Sequence, residues 1–175
     1  SAYPVKNISA YFSLLKKKGV ILDPAERKAV IQKRLEALAA SFKGQLYEDP
    51  FLLNEVNFLT ENPHCVAAPF AEKFLSLPSE VLAVSMARKQ RIFALVDKQG
   101  KLLPRFLAVL DGAVTAKQAK VISLNIENIL HAKLQDSLFF YKEDTKLPLE
   151  QKRADLKNLI FLKNAGSMLE KTQRL

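Results

Sequence analysis

The sequence predicts an α+β fold, helix-rich overall, with a small mixed or antiparallel sheet flanked by several helices. Three observations carry that reading. Long stretches repeat apolar residues every three or four positions, as an amphipathic helix with one inward face must. Three short runs, at 64–70, 91–97 and 105–111, are instead rich in apolar residues over strand length, the last two almost without interruption, which is how strands buried on both faces read. Hydrophobic residues make up 49% of the 175, so a sizeable core is available and wholesale disorder is excluded. Helices before and after the strands are expected to cover the sheet.

Taken in order, residues 3–18 form the first expected helix. Ile8, Tyr11, Phe12, Leu14 and Leu15 make its stripe, Asn7 or Ser9 caps it, and Lys16, Lys17 and Lys18 suit the negative end of its dipole before Gly19 stops it. Val20 to Leu22 is a short strand or a docked loop. Asp23-Pro24 opens the second helix, with Asp as cap and Pro in the first turn. Its inward face is Val30, Ile31, Leu35, Leu38 and Phe42, and it ends near Lys43-Gly44. A third helix spans Pro50 to Thr60. Asn62-Pro63 breaks it, His64 to Phe70 follows as a strand, and Ala71 to Leu77 is a helical turn. Another helix runs from Pro78 or Ser79 to Gln90. Two strands then flank the Asp97–Gly100 turn, where Gly100 supplies positive φ. Pro104 suits an edge or the start of a strand.

The C-terminal part reads as helical. Ile122, Ile126, Leu130, Leu134 and Leu138 step by four through a long helix from Thr115 to Asp144. The Phe139-Phe140-Tyr141 triplet at its end suits interhelix packing more than base stacking. A helix over 149–162 and another from Met168, cut mid-course at Leu175, complete the chain. The organisation expected is an N-terminal helical segment (1–60), a sheet-containing core (61–112) and a C-terminal helical segment (113–175), together one compact domain. The opening Ser1-Ala2-Tyr3-Pro4 reads as the cut end of a longer chain.

Composition narrows the chemistry. Cys65 is the only cysteine and there are two histidines, so an internal disulfide and a thiolate zinc site are excluded, and no metal site is expected. With a single cysteine a cytoplasmic origin is expected, and no membrane partner is expected, since no apolar run approaches the roughly 20 residues of a span. Adjacent His64 and Cys65 point to opposite faces of a strand and do not make a nucleophile–base pair. Glu143-Asp144 reads as solvated or capping. No GxGxxG, Walker, HExxH or GxSxG pattern occurs. The net charge is +9, which suits either a polyanionic partner or a merely solvated basic exterior. Positions 88–105 concentrate that charge: Arg88, Lys89, Arg91, Lys98, Lys101 and Arg105 are opposed by Asp97 alone.

Five ordered pieces carry a family resemblance over about residues 8–175. They are Asn62-Pro63; Phe70 to Leu75 with Leu77-Pro78 and Glu80-Val81-Leu82; Met86 to Phe93 with Gly100 to Phe106; Ala132 to Asp136 with Phe139-Phe140 and Asp144; and Gly166 to Arg174. In this order and spacing they resemble the beta subunit of bacterial glycyl-tRNA synthetase, whose last two stretches run "ARLADARFF…D" and "GSLYDKTER". The chain departs from the family pattern at Asn125–Asn128, where "GNER" is usual, at His131, and at Lys89.

The resemblance implies a piece of a hetero-oligomer of alpha and beta subunits. In it the alpha subunit performs the ATP- and Mg-dependent glycine activation, and the beta subunit binds and positions tRNA(Gly). The fragment itself is expected to bind no cofactor and to carry no catalytic residue. The segment also resembles the region related to the editing domain of the phenylalanyl-tRNA synthetase beta subunit. A double sieve removes products smaller than the correct one, and no amino acid is smaller than glycine, so an aminoacyl-tRNA hydrolase is the weaker alternative. A structural scaffold for subunit assembly is the other. On the leading reading, the nucleic-acid-binding residues are Arg88, Lys89, Arg91, Lys98, Lys101, Arg105 and Lys133. Such contacts, made to phosphates, position rather than specify.

Overall fold

The computed structural model describes residues 3–175. Helix α1 (Ile8–Lys17) starts where the Asn7 side chain accepts the Ala10 N–H at 2.8 Å. Its start is therefore later than the expected residue 3, set by the cap that satisfies the first turn. It buries no residue, and Ile8, Tyr11 and Phe12 remain exposed, so α1 does not help cover the sheet. Residues 20–22 are a loop, tied down where Ile21 N–H donates to the Glu61 carbonyl at 2.9 Å.

Helix α2 (Pro24–Ser41) is capped by Asp23, which accepts from Ala25 and Glu26 N–H. Helix α3 (Pro50–Leu59) is capped in the same way by Asp49. Ile31, Leu35 and Ala39 of α2 and Leu52 and Val56 of α3 share one core with Phe93, Leu95 and Leu107 of the sheet. The sheet has strands β1 (Gln45–Leu46), β2 (Pro63–Pro69), β3 (Phe93–Val96) and β4 (Leu102–Asp111), in the order β1-β3-β4-β2 with every pair antiparallel. This is the expected α+β architecture, resolved to an antiparallel sheet.

Strand β1 is too short to show a period and was not expected. It exists because Gly44 lets the backbone approach β3 and β4: a Cβ there would lie 2.9 Å from Leu103 Cδ1 and 3.2 Å from the Val96 carbonyl oxygen. Strand β4 begins three residues earlier than expected. It takes in Pro104 at the irregularity where β3 pairing jumps from Ala94↔Phe106 to Val96↔Leu102. A residue without an N–H is tolerated there because the ladder is already interrupted.

The alternate residues Val66, Ala68, Ala94, Phe106 and Ala108 face the other way and are also buried. A 3₁₀ turn at Glu72–Ser76 lies against β4 and carries the wholly buried Phe74. The first part of α5 (Ala116–Asp144) is held to this turn. The His131 ring meets Phe74 edge-on at 5.2 Å, and Lys73 Nζ donates to Gln135 Oε1 at 2.8 Å. Leu130 and Leu134 are fully buried.

Between 79 and 90 the chain is helical as expected, but not uniformly. Helix α4 (Ser79–Val84) widens into a π turn over Ser85–Gln90, and Arg91 then takes the left-handed conformation at φ 52°. The wider turn lets the Ile92 N–H donate back to Met86 at 3.2 Å as β3 begins. π turns are rare and concentrate at functional sites.

The chain forms two compact units, one up to Gln135 and one from Asp136 onward. The second contains the end of α5, α6 (Leu149–Arg153), a 3₁₀ turn at Ala154–Asn158 and α7 (Met168–Gln173). The helix expected over 149–162 is thus broken. Phe161 N–H donates to Gly166, and Met168 N–H to Leu159, which pulls 159–161 into a bridge of Ile160 with Ser167. Helix α7 also ends before the last residue, with Arg174 as its cap. Its start is a capping box between Ser167 and Glu170. That box requires the preceding glycine, since a Cβ on Gly166 (φ 84°) would sit 2.1 Å from Glu170 Oε2. Phe139 and Phe140, expected in a packed interface, are exposed and meet only each other edge-on at 5.5 Å among the ring contacts of the described residues.

Candidate nucleic-acid interface

The structure places the seven basic residues in three locations rather than along one rim. Lys98 and Lys101 are exposed on the β3–β4 hairpin. Asp97, the acid among them in sequence, is consumed by the turn: its Oδ1 accepts Gln99 N–H and Lys101 N–H, each at 2.9 Å. Arg105 projects from β4 toward the C-terminal end of α2, its guanidinium 4.4 Å from the centre of the Phe42 ring. Lys43 follows Phe42 in the left-handed conformation (φ 57°), and Gly44 beside it packs on Leu103 and Val96. Lys43, Lys98, Lys101 and Arg105 therefore gather at one end of the sheet. The C-terminal end of α2 adds its partial negative charge there, which the cations offset.

Arg88, Lys89 and Arg91 lie at the other end of β3, where the π turn closes. Arg88 stacks on Phe51 of α3 at 4.4 Å from the ring centre. Arg91 Nε donates to Glu55 Oε1 at 2.7 Å. Both arginines are thus positioned on the outer face of α3. Lys89 is exposed. Strand β3 is four residues long, so about 13 Å of extended chain at roughly 3.3 Å per residue separates the two clusters. Lys133 is exposed on α5, one residue from the buried Leu134. The sequence reading passed over Lys43, Phe51 and Phe58. For Lys43 the signal was present in Lys43-Gly44 at a helix end. For the two phenylalanines helical spacing alone put no charge beside them.

The remaining polar groups have structural work. Arg27 is buried, with Nε donating to the Asn57 carbonyl at 2.9 Å and Nη1 to those of Ile21 at 2.6 Å and Leu22 at 3.4 Å. Asp111 accepts Glu61 and Asn62 N–H, each at 2.8 Å. The Asn62 N–H foremost, then that of Glu61, holds its carboxyl below the usual carboxylate value. His64 pairs with Leu110 and Cys65 with Val109 across β2 and β4, so adjacent side chains alternate faces as expected. Burial pushes the Cys65 thiol up to about 11, against a smaller opposite pull from Arg34. A thiol that stays protonated at neutral pH is not an activated nucleophile. Arg34 itself is engaged through Nη1 with the Pro63 carbonyl. Among the described residues no helix is long and apolar enough to cross a membrane.

Comparison with known proteins agrees with the motif reading. A family model described as glycyl-tRNA synthetase beta subunit matches residues 1–175. The chain is 39% identical over 173 residues to the glycine–tRNA ligase beta subunit of Moorella thermoacetica and 39% over 171 residues to that of Bacillus subtilis. It is 37% identical over 174 residues to that of Geotalea daltonii. These alignments cover 98–99% of this chain and 25% of each relative, so the chain spans about a quarter of the length of the curated relatives it matches. With the motifs and the whole-length match in agreement, the chain belongs to the glycyl-tRNA synthetase beta-subunit family.

Proposed function

We propose that this segment binds and positions tRNA(Gly) for glycylation, and that it acts by holding phosphates rather than by chemistry of its own. The observation that supports this most is the end of the sheet where Lys43, Lys98, Lys101 and Arg105 gather while Asp97 is tied up by backbone N–H groups. Such a cluster, four cations against the one carboxylate of Asp97, attracts a polyanion and releases its counterions on binding. Arg88, Lys89, Arg91 and Lys133 extend the basic surface on this reading. The ATP- and Mg-dependent activation of glycine belongs to an alpha subunit, with which the full beta chain forms a cytoplasmic hetero-oligomer.

The test is tRNA binding as a function of salt. Each lost phosphate contact lowers the slope of log K against log salt by roughly 0.7 to 0.9. Replacing both Lys98 and Lys101 with Ala should flatten it by about 1.5, with the fold intact because both side chains are exposed. An unchanged slope and affinity would remove the hairpin from the interface.

A further inference from the structure

The outer face of α3 carries a feature that phosphate binding does not use. Phe51 and Phe58, seven residues apart, lie on one helix face with Glu55 between them. They are 61% and 66% exposed, and Leu59 beside them is 57% exposed. Charged groups of both signs gather at the Phe51 end of this face, where Asp49 and Glu80 line the same hollow as Arg88. Arg88 covers one side of the Phe51 ring, Arg91 is fixed on Glu55, and Lys89 is free to reach solvent. The π turn and the left-handed Arg91 aim these groups at α3. Glu55, the acid on this stripe, is neutralised by Arg91.

We infer that this face is a stacking platform for an unpaired RNA strand. Exposed aromatic rings beside guanidinium groups bind bases by stacking while adjacent cations hold the backbone, a combination that suits single strands because paired bases hide their faces. The Arg88 guanidinium stacked on Phe51 favours an aromatic, phosphate-bearing strand over a neutral apolar surface, and the open rings select single strand over duplex. This deepens the tRNA reading: the Lys98–Lys101 end of the sheet would meet duplex phosphates, and α3 an unpaired segment.

The test uses the 175-residue chain, a labelled 12-nucleotide single-stranded RNA without self-pairing, and a 12-base-pair RNA duplex. The variant Phe51→Ala/Phe58→Ser should bind the single strand roughly tenfold or more weakly, as expected for the loss of one or two stacked bases. Its duplex affinity should stay within twofold. The variant Arg88→Gln, which keeps both rings, should show a smaller loss on the same probe. Equal losses on both probes, or no loss on the single strand, would overturn the platform. Lys98→Ala/Lys101→Ala should do the reverse, weakening the duplex more than the single strand. A parent chain that binds duplex but not single strand therefore sinks the platform alone. One that binds single strand only through Phe51 and Phe58, and duplex not at all, sinks the phosphate reading instead.

Discussion

Arg27 is a buried cation held by carbonyls alone among its hydrogen bonds, and its replacement by Met is a sharp test of how α2, α3 and the 20–22 loop are fastened together. Its Nε and Nη1 make two well-formed bonds, to Asn57 at 2.9 Å and Ile21 at 2.6 Å, and one long one to Leu22 at 3.4 Å. Hydrogen bonds to a charged group contribute about 1.5–3 kcal/mol each, and a carbonyl left buried without a donor costs about 1–3 kcal/mol. Against this, Met removes the cost of burying a guanidinium, which is several kcal/mol before its partners compensate it. The surplus is a destabilisation of about 3 kcal/mol for Arg27→Met. For a chain of this length that lowers Tm by roughly 6–12 °C. Arg27→Lys, with one point donor in place of a fork, should lose about half as much. Urea unfolding followed by far-UV circular dichroism measures both. A Met variant within about 0.5 kcal/mol of the parent would refute the idea that these carbonyls depend on Arg27. It would mean that water or a backbone shift satisfies them equally well.

Two further outcomes follow from titratable groups. Because the folded Asp111 carboxyl lies below its ordinary value, its contribution is present above the unfolded pKa near 4 and fades as pH falls through the folded one. Asp111→Asn should therefore cost about 0.5–1 kcal/mol at pH 7, a figure kept small by solvent screening, and the gap should narrow as pH falls below the unfolded value; a gap that widens on acidification would contradict the assignment. Cys65, with its thiol near 11, has about one thiolate in a thousand at pH 8, against about a quarter for a free thiol. Native protein should react with iodoacetamide at least a hundredfold more slowly than urea-unfolded protein, and comparable rates would show the site to be open.

Much of this architecture is legible from short-range chemistry. Asp23-Pro24 and Asp49-Pro50 cap helices where a cap followed by proline should, and the Asp97–Gly100 turn closes by the bonds its residues favour. What escaped depends on contacts distant in sequence. Strand β1 is held by an approach of Gly44 to Leu103 and Val96. The helix pattern after Leu149 is interrupted by the hairpin that the Ser167–Glu170 box anchors. The π turn leaves no mark in hydrophobic spacing, since Met86 and Ala87 are buried as they would be in an α-helix. For the candidate interface, the sequence shows how much charge lies between 88 and 105 but not its direction. Adjacent positions on β3 and its flanks are carried to opposite ends of the strand, so one apparent run becomes two clusters. Each cluster is completed by a residue from elsewhere, Lys43 in one and Phe51 in the other.

The central claim is that this segment holds tRNA by its phosphates. The most direct measurement is the affinity of the 175-residue chain for tRNA(Gly) across a tenfold range of salt. Binding that weakens log-linearly, with a slope of about −3 or steeper for four or more phosphate contacts, is the predicted result. No binding at low salt, or an affinity indifferent to salt, would contradict it and leave the basic faces as solvated surface.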